Sequence, residues 1–268
     1  MRFGCCGSMI APELDPVGIE SIGTLAELGF DYVELSLAQM AALSDGDFQA
    51  LAARVEDSGL VCEACNNFFP AAVRLTGSEA GLPAALEYAA RAIERAARLG
   101  ARIVVFGSSG AKNVPPGFPH AEAWRQISDL LGRLGPMAES HGITIAIEPI
   151  NRLESNIVNS VAEGLRLMRE VDHANIRLLA DFYHLCMEAE DPSILLEAGE
   201  GIRHVHFARL EGRGFPTRPE GSFAPFFDAL RRIGYGGRCS IEAYTNDFAS
   251  DARQALETLR SETVRHST

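Results

Sequence analysis

The sequence is poor in positive charge and has no long apolar run. Its 24 Lys and Arg residues stand against 36 Asp and Glu residues, which leaves a formal net charge of −12 over 268 residues. A chain with this charge lacks the basic surface that nucleic acids or anionic membranes require. No segment stays apolar over the roughly 20 residues of a transmembrane helix, and the N-terminus lacks a signal-peptide pattern. These absences predict a cytoplasmic protein whose partner is a small molecule, with no nucleic acid and no membrane.

Cysteines and nucleotide-binding motifs are also scarce. The six cysteines are scattered along the chain, whereas disulfide-stabilised domains are short and dense in cysteine. Cys62 and Cys65 form a CxxC pair, but it lies in a predicted strand with no second Cys or His pair, so we interpret both as reduced core residues. Cys65 or Asn66, at the end of this strand, would be able to reach a pocket. No G-x-G-x-x-G or Walker loop opens a helix, which argues against a nucleotide-binding open sheet.

Strand and helix patterns alternate along the whole chain. Helical apolar spacing stops at glycines, as at Gly29 after a predicted helix Pro16–Leu28 and at Gly59 after the next one, where helices commonly end. Roughly eight strand–helix units without a compositional break favour a closed barrel over an open sheet. We therefore predict one α/β domain over residues 1–268, a single (β/α)8 TIM barrel with a closed parallel sheet. The predicted strands are Phe3–Cys6, Asp31–Ser36, Leu60–Asn66, Arg102–Gly107, Ile143–Glu148, Arg177–Asp181, Ile202–Phe207 and Arg238–Glu242.

The predicted fifth strand, Ile143–Glu148, ends at a carboxylate. Its three isoleucines share one face, whereas Thr144, Ala146 and Glu148 share the other. The isoleucine face is bulky and suits a covering of helices, and the other face is small enough for a barrel interior. Glu148 then lies at the carboxyl end of the strand, where α/β folds place their chemistry. Taken alone, a Glu before a Pro suits a strand that ends in solvent equally well.

Acids and a histidine end the last four predicted strands, at Glu148, Asp181, His206 and Glu242. In a barrel the ends of successive strands converge on one mouth, where three carboxylates and an imidazole would repel one another unless a cation neutralised them. The four residues are therefore predicted ligands of one divalent metal ion, with Mn²⁺ favoured and Mg²⁺, Co²⁺ or Zn²⁺ as alternatives. Singly, Asp181 would also suit a turn cap and Glu242 an ion pair. His204, one layer deeper, is interpreted as structural.

The segment Ser108–Gly117 is rich in Gly and Pro and too long for a simple connection, so we expect a lid or a pocket wall. Lys112 lies within it. This lysine would be able to reach a phosphate or carboxylate of a substrate, but a solvated loop lysine is the more common case and is the interpretation we favour. Because the sequence has no evident phosphate cradle, an unphosphorylated substrate is expected.

Four motifs of the second half resemble the xylose isomerase-like TIM-barrel superfamily. They are Glu148-x-x-Asn-Arg-x-Glu154, Asp181-x-x-His184, His204-x-His206 and Ile241-Glu242. They are most similar to the sugar isomerase and epimerase branch of D-tagatose 3-epimerase, D-psicose epimerase and hydroxypyruvate isomerase. The resemblance covers the second half with its spacings intact and the first half in architecture alone.

The resemblance implies the role of each site residue. Glu148, Asp181, His206 and Glu242 would bind the metal, as their positions also predict. Residues implied to contact the substrate are Glu154, His184 and either Arg209 or Arg213, since the spacing around the family's arginine differs here. The resemblance also implies a homo-oligomer, a dimer or a tetramer.

The predicted function is that of a divalent-metal-dependent isomerase or epimerase of ketose sugars in carbohydrate metabolism. Glu148 and Glu242 would carry the proton to and from a metal-stabilised enediolate. The alternative is a metal-dependent dehydratase, a lyase of a polyol-derived keto compound on the same scaffold. An endonuclease on this barrel is disfavoured by the net charge. A barrel that merely binds a ligand is disfavoured because four charged strand ends are costly to keep without a metal.

Overall fold

The computed structural model describes residues 1–264, and over this range eight parallel strands close into a barrel in chain order. Each strand pairs with the next, and the last pairs with the first. The predicted (β/α)8 TIM barrel is therefore confirmed. Strands β1 to β8 span Arg2–Cys6, Tyr32–Ser36, Cys62–Asn66, Ile103–Phe106, Thr144–Ile147, Ile176–Asp181, Ile202–Phe207 and Arg238–Ile241.

Eleven α-helices connect or follow the strands within the described residues. Gly29 and Gly59 end α1 and α3 with φ of 79° and 75°, the left-handed conformation that glycine adopts at little cost. The first helix begins at Ser21 and not at Pro16, because Gly18 has φ of 97°, outside the helical range. Helices α1 to α11 span Ser21–Leu28, Leu37–Ala42, Asp45–Ser58, Leu82–Arg98, Ser109–Lys112, His120–Ser140, Val161–Val171, Phe182–Met187, Ile194–Ala198, Phe223–Arg232 and Phe248–Val264. Short 3-10 helices span Gly7–Met9, Gly199–Gly201 and Glu211–Arg213.

The apolar core has two layers, as the strand alternation predicts. The outer layer lies between strands and helices and contains the three isoleucines of the fifth strand region together with Cys62 and Cys65. The inner cluster fills the barrel and contains Ala146 of β5 and Leu179 of β6. The predicted facing of β5 is confirmed, and the residues that end β5 and β6 lie above a packed interior. Cys62 and Cys65 are buried core residues, with Sγ atoms 3.7 Å apart.

Short helices follow three strands within two residues of their carboxyl ends. These are α2 after β2, α5 after β4 and α8 after β6. With four to six residues each, they are too short to show helical periodicity in the sequence. The predicted wall segment Ser108–Gly117 contains α5. Among residues 1–264, no helix has both the length and the apolar character needed to cross a bilayer.

Candidate active site

A cavity of about 480 Å³ opens at the carboxyl ends of the strands. Its wall includes Ser108, Ser109 and Gly110 from the segment after β4, so the expectation of a pocket wall there is confirmed. Six of the residues singled out in the sequence line it: Asn66, Glu148, Glu154, His184, Arg213 and Glu242. Asp181 and His206 lie beneath, buried against these side chains.

Three predicted acidic ligands meet around one imidazole nitrogen. His206 Nδ1 lies 3.0 Å from Glu148 Oε1, 3.5 Å from Glu242 Oε2 and 4.0 Å from Asp181 Oδ2. The four residues are at most 7% exposed. The structure thus brings together the four residues that the sequence placed at one mouth. Carboxylate oxygens with one imidazole nitrogen form a donor set that fits Mn²⁺ or a similar divalent ion.

His184 is a second imidazole beside these acids. Ligand atoms of Glu148, Asp181, His184 and Glu242 lie within 4.8 Å of one another. However, His184 Nδ1 lies 2.8 Å from the amide nitrogen of Asn151, whose Oδ1 accepts the Leu153 N–H and so fixes the amide orientation. Because Nδ1 accepts, neutral His184 carries its hydrogen on Nε2, the atom that faces Asp181. This tautomer directs an N–H of His184 at the acids, so His206 is the better candidate for a nitrogen ligand of a metal ion.

Asp181 uses its two oxygens differently. Oδ1 accepts the backbone N–H of His184 at 3.1 Å and caps helix α8, while Oδ2 faces the acid cluster. The cap that the sequence suggested as an alternative is present, and the second oxygen remains directed at the acid cluster. Both follow from the position of Asp181 as the last residue of β6 and the first before a helix.

Glu242 receives hydrogen bonds from both sides of the cavity. Arg213 Nη2 lies 2.5 Å from Oε2, and Asn66 Nδ2 donates to Oε1 at 3.0 Å. Burial raises the pKa of Glu242, but the charges of His206 and Arg213 outweigh it and hold that pKa well below its usual value. Arg213 Nη1 also lies 3.3 Å from Glu154 Oε2. Glu242 is therefore held as an oriented carboxylate.

Arg209 and Arg213 lie in different places. Arg213 lines the central cavity, whereas Arg209 pairs with Glu220 at 3.5 Å and lines a neighbouring cavity beside Tyr244. Of the two arginines that the resemblance left open, Arg213 is the one placed next to the acids.

Glu148 is held from behind by Lys112, and the interpretation of this lysine as solvated is wrong. Lys112 is fully buried, and its Nζ donates to the Glu148 carbonyl oxygen at 3.1 Å. Burial lowers its pKa to about 8. Within the described residues it does not line the central cavity. Gly107, immediately after β4, leaves room for Glu148, because a Cβ at that position would lie 1.9 Å from Glu148 Oε2.

Glu34 on β2 is a site residue that the sequence analysis missed. It is fully buried, with Oε1 3.0 Å from His206 Nε2 and Oε2 2.8 Å from His204 Nε2. Burial alone would raise the pKa of Glu34. The interactions with His206 and His204 lower that pKa by more, and they hold it far below its usual value. Strand alternation from Tyr32 would have placed Glu34 inside the barrel, where an acid is seldom buried without a partner. The sequence analysis considered strand ends alone.

A closed parallel barrel with a cluster of acids and histidines at its carboxyl mouth defines the TIM-barrel class with a candidate metal site. A family model described as xylose isomerase-like TIM barrel matches residues 22–262, and the chain belongs to this family. The resemblance found in the motifs is confirmed.

Two relatives and one solved structure extend the comparison. A ketose 3-epimerase of Arthrobacter globiformis is 29% identical over 250 residues, which cover 92% of this chain and 84% of that protein. An L-ribulose 3-epimerase of Mesorhizobium japonicum is 28% identical over 233 residues, 86% and 77% of the two chains. A D-allulose 3-epimerase from Methylomonas sp., solved with D-allulose, superposes with a TM-score of 0.86 at 24% identity, covering 98% of this chain and 97% of that one.

Proposed function

We propose that this protein is a divalent-metal-dependent ketose epimerase that moves a proton between Glu148, the substrate and Glu242. The observation that carries the proposal is the meeting of both glutamates and Asp181 around His206 Nδ1, at distances of 3.0 to 4.0 Å. Similarity to ketose 3-epimerases supports an enzyme of the isomerase class. The dehydratase alternative has no supporting relative among those described above.

Glu148, Asp181, His206 and Glu242 would hold the ion, for which we propose Mn²⁺. When bound, the ion would polarise the ketone and the hydroxyl on the neighbouring carbon, and so ease loss of the proton that this carbon carries. The two glutamates then act on that carbon. One glutamate, as the carboxylate, takes the proton, and the other, as the carboxylic acid, gives its own proton from the opposite side, which inverts the configuration and exchanges the protonation states of the two glutamates. The lowered pKa of Glu242 keeps it ionised and able to act as a base.

The remaining lining residues would orient the sugar. His184 has an Nε2–H directed toward the acids, and Glu154 and Arg213 are joined at 3.3 Å at the cavity edge. Asn66 is 5% exposed, and its Oδ1 has no partner within the described residues. A buried acceptor of this kind gains a hydrogen bond when a substrate hydroxyl meets it. These four residues are the proposed substrate contacts.

The cavity suits a free sugar better than a sugar phosphate. Among its described lining residues, Arg213 is the single permanently charged cation, and its guanidinium already contacts Glu154 and Glu242. Lys112, the chain's one lysine, is directed at the Glu148 backbone and is poorly placed for a phosphate.

A cytoplasmic location, a single domain and a homo-oligomer stay predictions. Light scattering would measure the oligomeric state.

Proton exchange in deuterated water tests the proposal. The protein, freed of metal with a chelator and reloaded with Mn²⁺, is incubated with ketopentoses and ketohexoses, including L-ribulose and D-allulose. We expect deuterium on one carbon and a new epimer by NMR, both lost without metal. Glu148→Gln and Glu242→Gln are each expected to slow exchange by about 10²- to 10⁴-fold.

The matched control is Glu56→Gln, the same chemical change at an exposed position of helix α3, which should exchange at the wild-type rate. Absence of carbon-bound deuterium in every ketose, or an unchanged rate in Glu148→Gln, would contradict the proposal. Growth of enone absorbance in place of an epimer would support the dehydratase.

A further inference from the structure

We propose that Glu34 is a positioning residue that fixes the tautomer of His206, so that Nδ1 presents its lone pair to the metal ion. This role rests on the metal site of the proposed function and goes beyond it. Glu34 comes from β2, across the barrel from the strands that supply the candidate ligands, and it does not line the cavity.

The two nitrogens of His206 face different groups. Nδ1 faces Glu148, Asp181 and Glu242, while Nε2 lies 3.0 Å from Glu34 Oε1. An ionised carboxylate can accept a hydrogen bond but cannot donate one, so Nε2 carries the hydrogen in this contact. A neutral imidazole has one N–H, so Nδ1 then has a lone pair that can bind a metal ion. A carboxylate on the outer nitrogen of a metal-bound histidine is a common arrangement, and it also fixes the ring orientation.

Glu34 is itself held by a chain of hydrogen bonds. His204 Nε2 and Ser240 Oγ lie 2.8 Å and 2.5 Å from Oε2. Because Ser240 donates to the carboxylate, the Tyr32 hydroxyl, 2.7 Å from Ser240 Oγ, must donate to Ser240. All of these side chains are fully buried. Glu34 therefore has both oxygens occupied and cannot rotate away from His206 without leaving donors unpaired.

The arrangement on His204 agrees with an accepting Glu34. Nδ1 of His204 has no hydrogen-bond partner within residues 1–264. If that atom carried the hydrogen, a buried N–H would be unpaired at a cost of about 1–3 kcal/mol. With the hydrogen on Nε2, the His204 ring donates to Glu34 and leaves a bare nitrogen in the core. His204 and His206 thus each donate the hydrogen on Nε2 to the Glu34 carboxylate.

A competing use of these atoms is a second metal site. Cys6, Glu34 and His206 also offer ligand atoms within 4.8 Å of one another, and Cys6 Sγ lies 4.0 Å from His206 Nε2. An ion there would need a bare Nε2 and would turn Glu34 into a ligand. Nε2 of His206 cannot both donate a hydrogen to Glu34 and bind an ion. The number of ions that bind per chain therefore distinguishes the two arrangements.

Titration calorimetry with Mn²⁺ tests the role of Glu34. Glu34→Gln keeps the shape and removes the charge, and we expect Mn²⁺ to bind about 10- to 100-fold more weakly. The control is Glu63→Gln, a buried glutamate of β3 that pairs with Arg2 and Arg238 at the opposite end of the barrel. It should lose stability but bind Mn²⁺ with the wild-type affinity.

A second measurement needs no variant at Glu34 and covers the case in which Glu34→Gln fails to fold. In the ¹⁵N-histidine-labelled wild type loaded with diamagnetic Zn²⁺, we expect His206 to show its hydrogen on Nε2. Signals of His206 are assigned by their loss in His206→Asn. A hydrogen on Nδ1 in the loaded protein would overturn the proposal.

Other outcomes separate this role from the proposed function. If the wild type binds one Mn²⁺ per chain and Glu34→Gln binds it equally well, the role of Glu34 is wrong and the metal site stands. Two ions per chain would favour the site at Cys6 and also overturn the role. If the wild type binds no divalent ion, the metal site fails, and the role of Glu34 fails with it.

Discussion

The two halves of the barrel contribute to the site in different ways. Strands β5 to β8 deliver its charged atoms, from Glu148, Asp181, His206 and Glu242. The ends of β1 to β4 carry Cys6, Ser36, Asn66 and, just after β4, Gly107, none of them charged at neutral pH. Yet Gly107 leaves the space that Glu148 occupies, Asn66 donates to Glu242, and Glu34 contacts His206. The reactive groups thus come from one half, and their positions depend on the other.

Among the variants that test this division between the two halves, the largest loss of activity is expected from Gly107→Ala. A methyl group there would meet Glu148 Oε2, since the Cβ position lies 1.9 Å away. Because a shift of about 1 Å in a catalytic group costs about 100-fold in rate, Gly107→Ala should lower kcat/KM for proton exchange by about 100-fold or more. The control Gly132→Ala, in helix α6, adds a methyl that meets no atom within 4 Å apart from its chain neighbours and the backbone of its own helix. A Gly107→Ala rate within threefold of wild type would show that the first half does not set the position of Glu148.

Within the second half, Arg213 and Arg209 form a matched pair. Arg213→Gln removes charged contacts to Glu242 and Glu154, and hydrogen bonds to charged groups contribute about 1.5–3 kcal/mol. We expect kcat/KM to fall by about 10- to 100-fold. Arg209→Gln, outside the central cavity, should change it less than about twofold. Steady-state kinetics on the ketose found by exchange measures both, and a larger loss in Arg209→Gln would reverse the assignment.

The smallest effect concerns Lys112, a residue of the first half that contacts the backbone of the second. Its pKa in the fold is about 8, against about 10.4 in an unfolded chain. Between these values the unfolded chain binds more protons, so this group raises the free energy of unfolding as pH rises. Relative to Lys112→Met, the wild type should gain on the order of 1 kcal/mol from pH 7.5 to 9.5. Urea unfolding at both pH values checks this, and a constant difference would contradict it.

Regular patterns made most of the fold predictable from the sequence. Alternation in the fifth strand placed Ala146 inside and the isoleucines outside, and glycines marked the ends of α1 and α3. The four strand-end residues were predictable because a parallel barrel brings all carboxyl ends to one mouth. Nothing in a local pattern reports the register shifts between β2 and β3 or between β6 and β7.

Residues whose role depends on distant contacts were not predictable in this way. Glu34 contacts His206 from 172 positions away, and an acid within a strand has no local signal of its partner. Lys112 was misinterpreted because a loop sequence of Gly and Pro suggests exposure, whereas the fold packs the lysine against Phe106, with Nζ 6.0 Å from the ring centre. The choice between Arg209 and Arg213 depended on the conformation of the loop after β7.

The burial of the chain's one lysine makes it a natural probe of local opening. An amine-reactive reagent meets no lysine on the folded surface, and it reaches Lys112 only when the region behind Glu148 opens. The labelling rate of this residue, followed by mass spectrometry, would therefore report how often the floor of the cavity opens in the unmodified protein. Slower labelling in the presence of Mn²⁺ or a ketose would measure how strongly each ligand closes it.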